Sequence, residues 1–230
     1  MTTIDSLRDD VCRANLALVN QGLVTLTWGN ASAILRDQGL VAIKPSGILY
    51  DSLAPDHIVL LDLAGNVVHG SLRPSTDTPT HLALYNAFPH INAIVHTHSP
   101  CATAFAQARR PIPCLGTTHA DHFAGPVPVT RQLNPDELDA YEHNTARVII
   151  ERFTHLDPLS IPAVLVAGHA PFTWGPTLAK AVDNAVALEA IARIAQSTLL
   201  LRPDSPELEP HILAKHHARK HGPARYYGQP

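Results

Sequence analysis

Two short apolar runs in this chain lead into histidine. INAIVH (91–96) reads as a buried strand, and so does AVLVA (163–167), which stops two residues before His169. Buried strands need helices packed on them, so these runs commit the chain to a covered sheet. The second histidine of the first run follows at once, in His96-Thr97-His98. Side chains alternate along a strand, so His96 and His98 project to the same face and can chelate one cation.

The rest of the chain supplies the other layers. Residues 4–20 carry Ile4, Leu7, Val11, Leu16 and Leu18 at helical spacing, which predicts an amphipathic opening helix. Further helices are expected over 78–88, 100–108, 135–153, 177–201 and 206–220. Pro79 suits a first helical position, and Ser75, Thr76, Asp77 and Thr78 are cap-type residues ahead of it. Strands are expected over 23–27 and 31–35 around the turn Trp28-Gly29-Asn30, over 41–43, over 58–63 and 66–69 around Ala64-Gly65, and over 126–129. Lys44-Pro45-Ser46-Gly47 reads as a loop. The mixture predicts a single α/β domain over 1–230, with a mostly antiparallel central sheet flanked by helices and no internal repeat.

Composition narrows the function classes. With 45% hydrophobic and 16% charged residues the balance is globular, and a formal charge of -3 gives no electrostatic case for nucleic acid or an anionic membrane. No apolar run approaches the roughly 20 residues of a membrane helix. The start MTTIDSLRDD lacks a basic region followed by an apolar stretch, so no signal peptide is expected. Cys12, Cys101 and Cys114 are odd in number and scattered, which suits reduced thiols in the cytoplasm.

Among fifteen histidines, spacing has to decide which matter. His169 sits, like His96 and His98, where a buried strand meets a loop. Three neutral imidazoles around zinc leave positions open for substrate, as a catalytic site requires.

Seven segments then place the chain in a family. LVTLTWGNAS (23–32), IKPSG (43–47), RPSTDTPTH (73–81), IVHTHS (94–99), GTTHAD (116–121), GHAPFTWG (168–175) and KHHARKHGPARYYGQ (215–229) together resemble the class II aldolase/adducin family, and its sugar-phosphate epimerase branch in particular. The resemblance implies an α/β domain assembled as a homotetramer, with active sites between subunits and the tail 206–230 contributing to one of them. It implies that His96, His98 and His169 hold a zinc ion in each subunit, with Asp77 beside the metal. It assigns the substrate phosphate to Asn30, Ser46, Gly47, Ser75 and Thr76, with Lys44 nearby. It makes Asp121 and Tyr227 the acid/base pair, supplied across the interface. Three positions depart from the pattern: Thr76 replaces a second serine, Arg73 replaces a common lysine, and Ala170 stands where glycine usually follows the third histidine. If that last position requires a positive φ, alanine is strained there.

The implied reaction is epimerisation at C4, interconverting L-ribulose 5-phosphate and D-xylulose 5-phosphate. C4 is not adjacent to the C2 carbonyl, so simple enolisation cannot invert it. Retro-aldol cleavage of C3–C4 to an enediolate and glycolaldehyde phosphate, followed by attack on the aldehyde's other face, can. The C4 hydroxyl must lose a proton on one side and regain it on the other, hence two proton carriers. Two rivals remain at this level: a class II aldolase of the fuculose or rhamnulose phosphate type, which releases the aldehyde, and a non-catalytic adducin-like interaction module. Taken alone, Ser75 to Thr78 also reads as a plain helix cap, Trp28 and Trp174 as packing residues, and Glu142 as a structural residue on its helix.

Overall fold

The computed structural model describes residues 3–223 together with Arg225 and Tyr226. Its centre is a seven-stranded sheet. The strands are β1 (Asn30–Leu35), β2 (Leu40–Ile43), β3 (Val59–Asp62), β4 (Val67–His69), β5 (Ala93–His96), β6 (Ala163–Leu165) and β7 (Pro171–Gly175). They lie in the order β4-β3-β2-β1-β5-β7-β6, and every neighbouring pair is antiparallel.

Alternation along the strands builds a core on each face. Ala31, Ala33, Ala93 and Val95 point to one side, where they meet α1 (Ile4–Asn20) and α6 (Leu178–Leu201) through Leu7, Val11, Leu18, Ala181 and Ala185. Ile34, Ile94, Phe172 and Trp174 point to the other. There they meet α2 (Thr78–Ala87) and α5 (Tyr141–Arg152) through Leu82, Tyr85, Ile149 and Phe153. A third cluster joins α3 (Pro100–Gln107) to α6 and β6 through Phe105, Leu188 and Leu165. The result is the expected α/β layering around one antiparallel sheet.

Four sequence expectations change. Residues 23–27 are not a strand, and Leu26 sits in the left-handed region at φ 55°. Both edges of β1 are already taken, by β2 and β5, so the LVTLT run has no edge there to pair with. Residues 126–129 make only single bridges, Val127 to Ile112 and Val129 to Leu165. The predicted helix 135–153 divides into a 3-10 turn, Pro135–Ala140, and α5, because Ala140 leaves helical geometry at φ -124° and ψ 53°. Strand β7 was not expected, since PFTWG begins with proline and ends with glycine.

The last helix, α7 (Pro210–His221), carries no buried residue. It lies on the short helix α4 (Thr117–Ala120) and starts later than the expected 206, at a proline in the first turn. Tyr227 lies outside the described residues.

Candidate metal centre and active site

The β-ladder registers set the site. Asn30 opens β1 opposite His96 at the end of β5, and His96 pairs in turn with Phe172 on β7. By alternation His96 faces the same side as Ile94, toward α2 and α5, and His98 follows it two residues on. His169 arrives from the β6–β7 turn, closed by Val166 N–H to Ala170 O at 3.0 Å and His169 N–H to Val166 O at 2.9 Å. Gly168 takes the left-handed position of that turn at φ +74°. Ala170 is fully buried and has no positive φ, so the strain anticipated for alanine there does not arise.

The three histidines converge. One ring nitrogen from each lies within 4.8 Å of the others, and among the described residues these are the His, Cys, Asp and Glu groups that meet this spacing. His96 Nε2 and His98 Nε2 are 3.2 Å apart. Two nitrogens bound tetrahedrally to one zinc at about 2.0–2.1 Å would be about 3.3 Å apart. His96 Nδ1 donates to the Pro171 carbonyl at 2.9 Å, which leaves Nε2 as the free acceptor and fixes the ring's tautomer. Phe172 stacks on that ring at 4.2 Å. Burial lowers the pKa of His98, and together with the His96 and His98 charges it lowers that of His169 to about 4. These two rings are therefore neutral at neutral pH, as metal ligands must be. His169 Nδ1 is buried without a partner, a polar atom that a ligand or a bound ion would account for. The donor set fits a zinc-type cation.

Asp77 lies beside this cluster but outside the group of close nitrogens. Its Oδ2 accepts from Asn30 Nδ2 at 2.7 Å and from Ser75 Oγ at 3.4 Å. Burial pushes its pKa up, but His96, His81, the Asn30 hydrogen bond and His169 outweigh that and hold the carboxyl below its ordinary value. Behind it, His81 is fully buried with its pKa pushed down to about 3, chiefly by burial, and its Nδ1 shares a 2.7 Å hydrogen bond with Ser32 Oγ.

The predicted phosphate residues line the same cavity of about 320 Å³. The loops carrying them are stitched together by Ser46 N–H to Arg73 O at 2.9 Å and Ser75 N–H to Lys44 O at 3.1 Å. That pairing leaves the Gly47 and Thr76 amides outside it, and Gly47, at φ +71°, has open space above it. Lys44 is buried in the cavity wall, with Nζ 3.3 Å from its nearest acceptor, the Pro45 carbonyl, and 4.7 Å above the Tyr50 ring. Burial lowers its pKa. Asn30 is spent internally: its Nδ2 also donates to Ser75 Oγ at 3.0 Å.

Asp121 does not line this cavity. It ends α4 and is gripped by its own chain's α7. Its Oδ1 accepts from His216 Nδ1 at 3.1 Å and from Arg219 Nε at 3.0 Å, and its Oδ2 accepts from Arg219 Nη2 at 2.6 Å. Burial raises its pKa, but the Arg219 and His216 hydrogen bonds and the Lys220 charge carry it below its ordinary value.

Three residues at the cavity were not predicted as site residues. Trp28, expected to pack, is 51% exposed and faces the cavity, whereas Trp174 is fully buried as expected. Tyr141 and Glu142, at the start of α5, also line the cavity. Nothing in their local sequence marks them; the break at Ala140 places them.

A histidine trio, with His96 buried and His98 and His169 half-buried, facing an oxygen- and amide-rich loop cluster is an arrangement able to hold a metal ion beside an anionic ligand. The family profile for the Class II Aldolase and Adducin N-terminal domain matches residues 9–196, and the chain belongs to that family. Over 227 residues, 98% of this chain and 100% of the relative, it is 48% identical to L-ribulose-5-phosphate 4-epimerase UlaF of Salmonella paratyphi A (strain ATCC 9150 / SARB42). It is equally similar, over the same shares of both chains, to the same-named protein of Salmonella typhi. Among solved structures it resembles an L-fuculose 1-phosphate aldolase at TM-score 0.79 and 27% identity, covering 93% of this chain and 95% of that one. YgbL from Klebsiella pneumoniae matches at TM-score 0.73 and 27% identity, covering 94% and 99%.

Proposed function

We propose that this protein is a zinc-dependent isomerase that interconverts L-ribulose 5-phosphate and D-xylulose 5-phosphate by retro-aldol cleavage and re-addition. The observation that carries this is one cavity in which the His96, His98 and His169 cluster faces the Lys44–Gly47 and Ser75–Thr76 loops. One end suits the oxygens at C2 and C3, the other the phosphate. His96, His98 and His169 would hold a zinc ion at the first end, where it would supply Lewis acidity for the negative charge that cleavage develops.

The residues do the rest. The amides of Gly47 and Thr76, the hydroxyls of Ser46 and Thr76, and the buried ammonium of Lys44 hold the phosphate. Asn30, with Ser75, keeps Asp77 oriented beside the histidines. When the C3–C4 bond breaks, its electron pair goes into the enediolate, and the C4 hydroxyl becomes the aldehyde as it gives up its proton. Asp121, held as the anion by Arg219 and Lys220, takes that proton from the neighbouring subunit's substrate or passes it through His216. Tyr227, a phenol that stays protonated at neutral pH, returns a proton on the other side. This reading makes the protein a homotetramer with shared sites, one catalytic unit over 1–230 whose tail serves a neighbour. It also places the protein in the cytoplasm, in keeping with its three free cysteines. No helix among the described residues is long and apolar enough to cross a membrane.

The test is an assay on L-ribulose 5-phosphate that follows D-xylulose 5-phosphate and free glycolaldehyde phosphate together. Epimer with almost no free aldehyde is expected. Stoichiometric release of aldehyde instead selects an aldolase. Turnover that survives complete removal of the metal overturns the mechanism.

A further inference from the structure

The site described so far is polar nearly throughout. Of the described residues lining the cavity, Trp28 and Tyr141 alone present large apolar rings other than histidine. Each stands against a different histidine of the cluster: the Trp28 ring is 6.0 Å from His98, and the Tyr141 ring is 6.0 Å from His169. Those two histidine rings are 5.0 Å apart.

Exposed single aromatics are ordinary on a protein surface. Trp28 is different because its backbone is pinned. Next to it, Gly29 runs at φ +81°, so close to β5 that a Cβ there would fall 2.7 Å from the His96 carbonyl. The carbonyls of Trp28 and Gly29 both accept from the Tyr50 hydroxyl, at 3.2 and 2.9 Å. Two residues earlier Leu26 is held at φ 55°, a strained conformation for leucine. A strained, close-packed loop thus holds an indole that is 51% exposed at the cavity mouth. Tyr141 is held at the start of α5, 37% exposed.

We propose that Trp28 and Tyr141 are the retaining walls of the site, the two flat faces between which the cleaved aldehyde turns before it is attacked again. This rests on the epimerase reading. Inversion requires the aldehyde carbon to present its second face while its phosphate stays fixed. A wall of hydrogen-bond donors would pin the carbonyl in one orientation, because hydrogen bonds are directional. An aromatic wall imposes no such direction. It also keeps out water, which would add to the free aldehyde or carry it away. Cleavage and re-addition balance without any further reactant: the bond broken is the bond remade, and the proton lost at the C4 hydroxyl is replaced on its return.

The experiment measures the partition of L-ribulose 5-phosphate between D-xylulose 5-phosphate and hydrazine-trapped glycolaldehyde phosphate in Trp28→Ala, Tyr141→Ala, Trp28→Phe and Tyr141→Phe. Zinc content and thermal midpoint are recorded for each. The alanine variants are expected to release at least tenfold more aldehyde per epimerisation than wild type, with zinc content unchanged. The phenylalanine variants, which keep a flat ring, stay within about threefold of wild type. The proposal is overturned if the alanine variants slow with an unchanged partition, or if the phenylalanine variants leak as much as the alanine ones. Because one wall is tested from each side, failure of a single variant to fold leaves the other to decide. Wild-type protein that leaves the substrate untouched, or releases aldehyde as its main product, overturns the epimerase reading and the walls with it, a result distinct from an unchanged partition in an active epimerase.

Discussion

Asp77 and Asp121 carry the same side chain into different work. Asp77 is half-buried among histidines and an amide, so its charge belongs to the histidine end of the cavity. Asp121 is saturated by cations of α7, so it can accept a proton but is a poor donor. On the proposed mechanism the donor's part then falls to Tyr227. We expect Tyr227→Phe to lower kcat about a hundredfold or more while leaving competitive inhibition by inorganic phosphate within about twofold. Unchanged turnover would remove Tyr227 from the pair. His119 gives a second prediction. It is buried beneath α4, its Nε2 2.8 Å from the Gly125 carbonyl, and burial pushes its pKa down to about 4. The unfolded chain, with a histidine pKa of about 6.5, binds that proton first as pH falls. Stability from His119 is therefore full above pH 6.5 and is lost as pH falls toward 4, to a total of roughly 3 kcal/mol. Urea unfolding at pH 7, 5.5 and 4 should show the decline, and His119→Gln should flatten it; an equal slope in the variant would refute the assignment.

At the scale of elements, one contact links the scaffold to the histidine cluster. Glu189 on α6 is 5% exposed, and its carboxylate accepts from the Cys101 amide at 2.9 and 3.1 Å and from the Ala102 amide at 2.9 Å. It caps α3, whose own N-cap Ser99 makes no side-chain cap. The first amide it caps, that of Cys101, lies three residues after His98, so Glu189 holds the His96–His98 segment at its far end. Glu189→Gln, which puts amide hydrogens against amide hydrogens, should weaken zinc binding about tenfold, read by competition with a chromogenic chelator. An affinity unchanged beside a lowered apo melting point would mean that the cap is structural only.

This scale also shows what sequence made legible. Strands β1, β2, β3 and β5 and helices α1, α2, α3 and α6 follow from periodicity and caps that are local. So does the histidine cluster, because HTH on a strand end needs only alternation to converge. Strand β7 was hidden because Pro171 and Gly175 carry turn signals, and only its ladder with β5 makes PFTWG extended. Residues 23–27 misled in the opposite way: β-branched alternation is necessary for a strand, but an open sheet edge is too. Trp28 was read as packing because aromatic residues usually pack, and the loop geometry that turns it outward depends on Gly29 meeting a carbonyl 67 positions away in the chain. Tyr141 and Glu142 carry no local signal, because the break at Ala140 that aims them is set by tertiary packing.

For the whole molecule the question is where one subunit's chemistry ends. The cavity gathers the metal ligands and phosphate loops of a single chain, while Asp121 lies elsewhere on that chain. If sites are shared, His98→Asn subunits lack a metal but offer a sound Tyr227, and Tyr227→Phe subunits offer the reverse. Tetramers reassembled from equal amounts of the two inactive proteins should then recover up to about a quarter of wild-type activity, because each complete site needs one intact half from either side. No recovery in verified mixed tetramers would confine the site to one chain. The grip of α7 on Asp121 has a further consequence. The helix buries no side chain of its own, and the carboxylate meets it through Arg219, His216 and Lys220. Its docking thus leans on partly exposed charge contacts, which concentrated salt weakens while leaving apolar cores intact. The sheet and the tail accordingly answer to different solvents. If the tail serves a neighbouring site as proposed, strong brine should work it like a valve, slowing turnover before the core begins to melt.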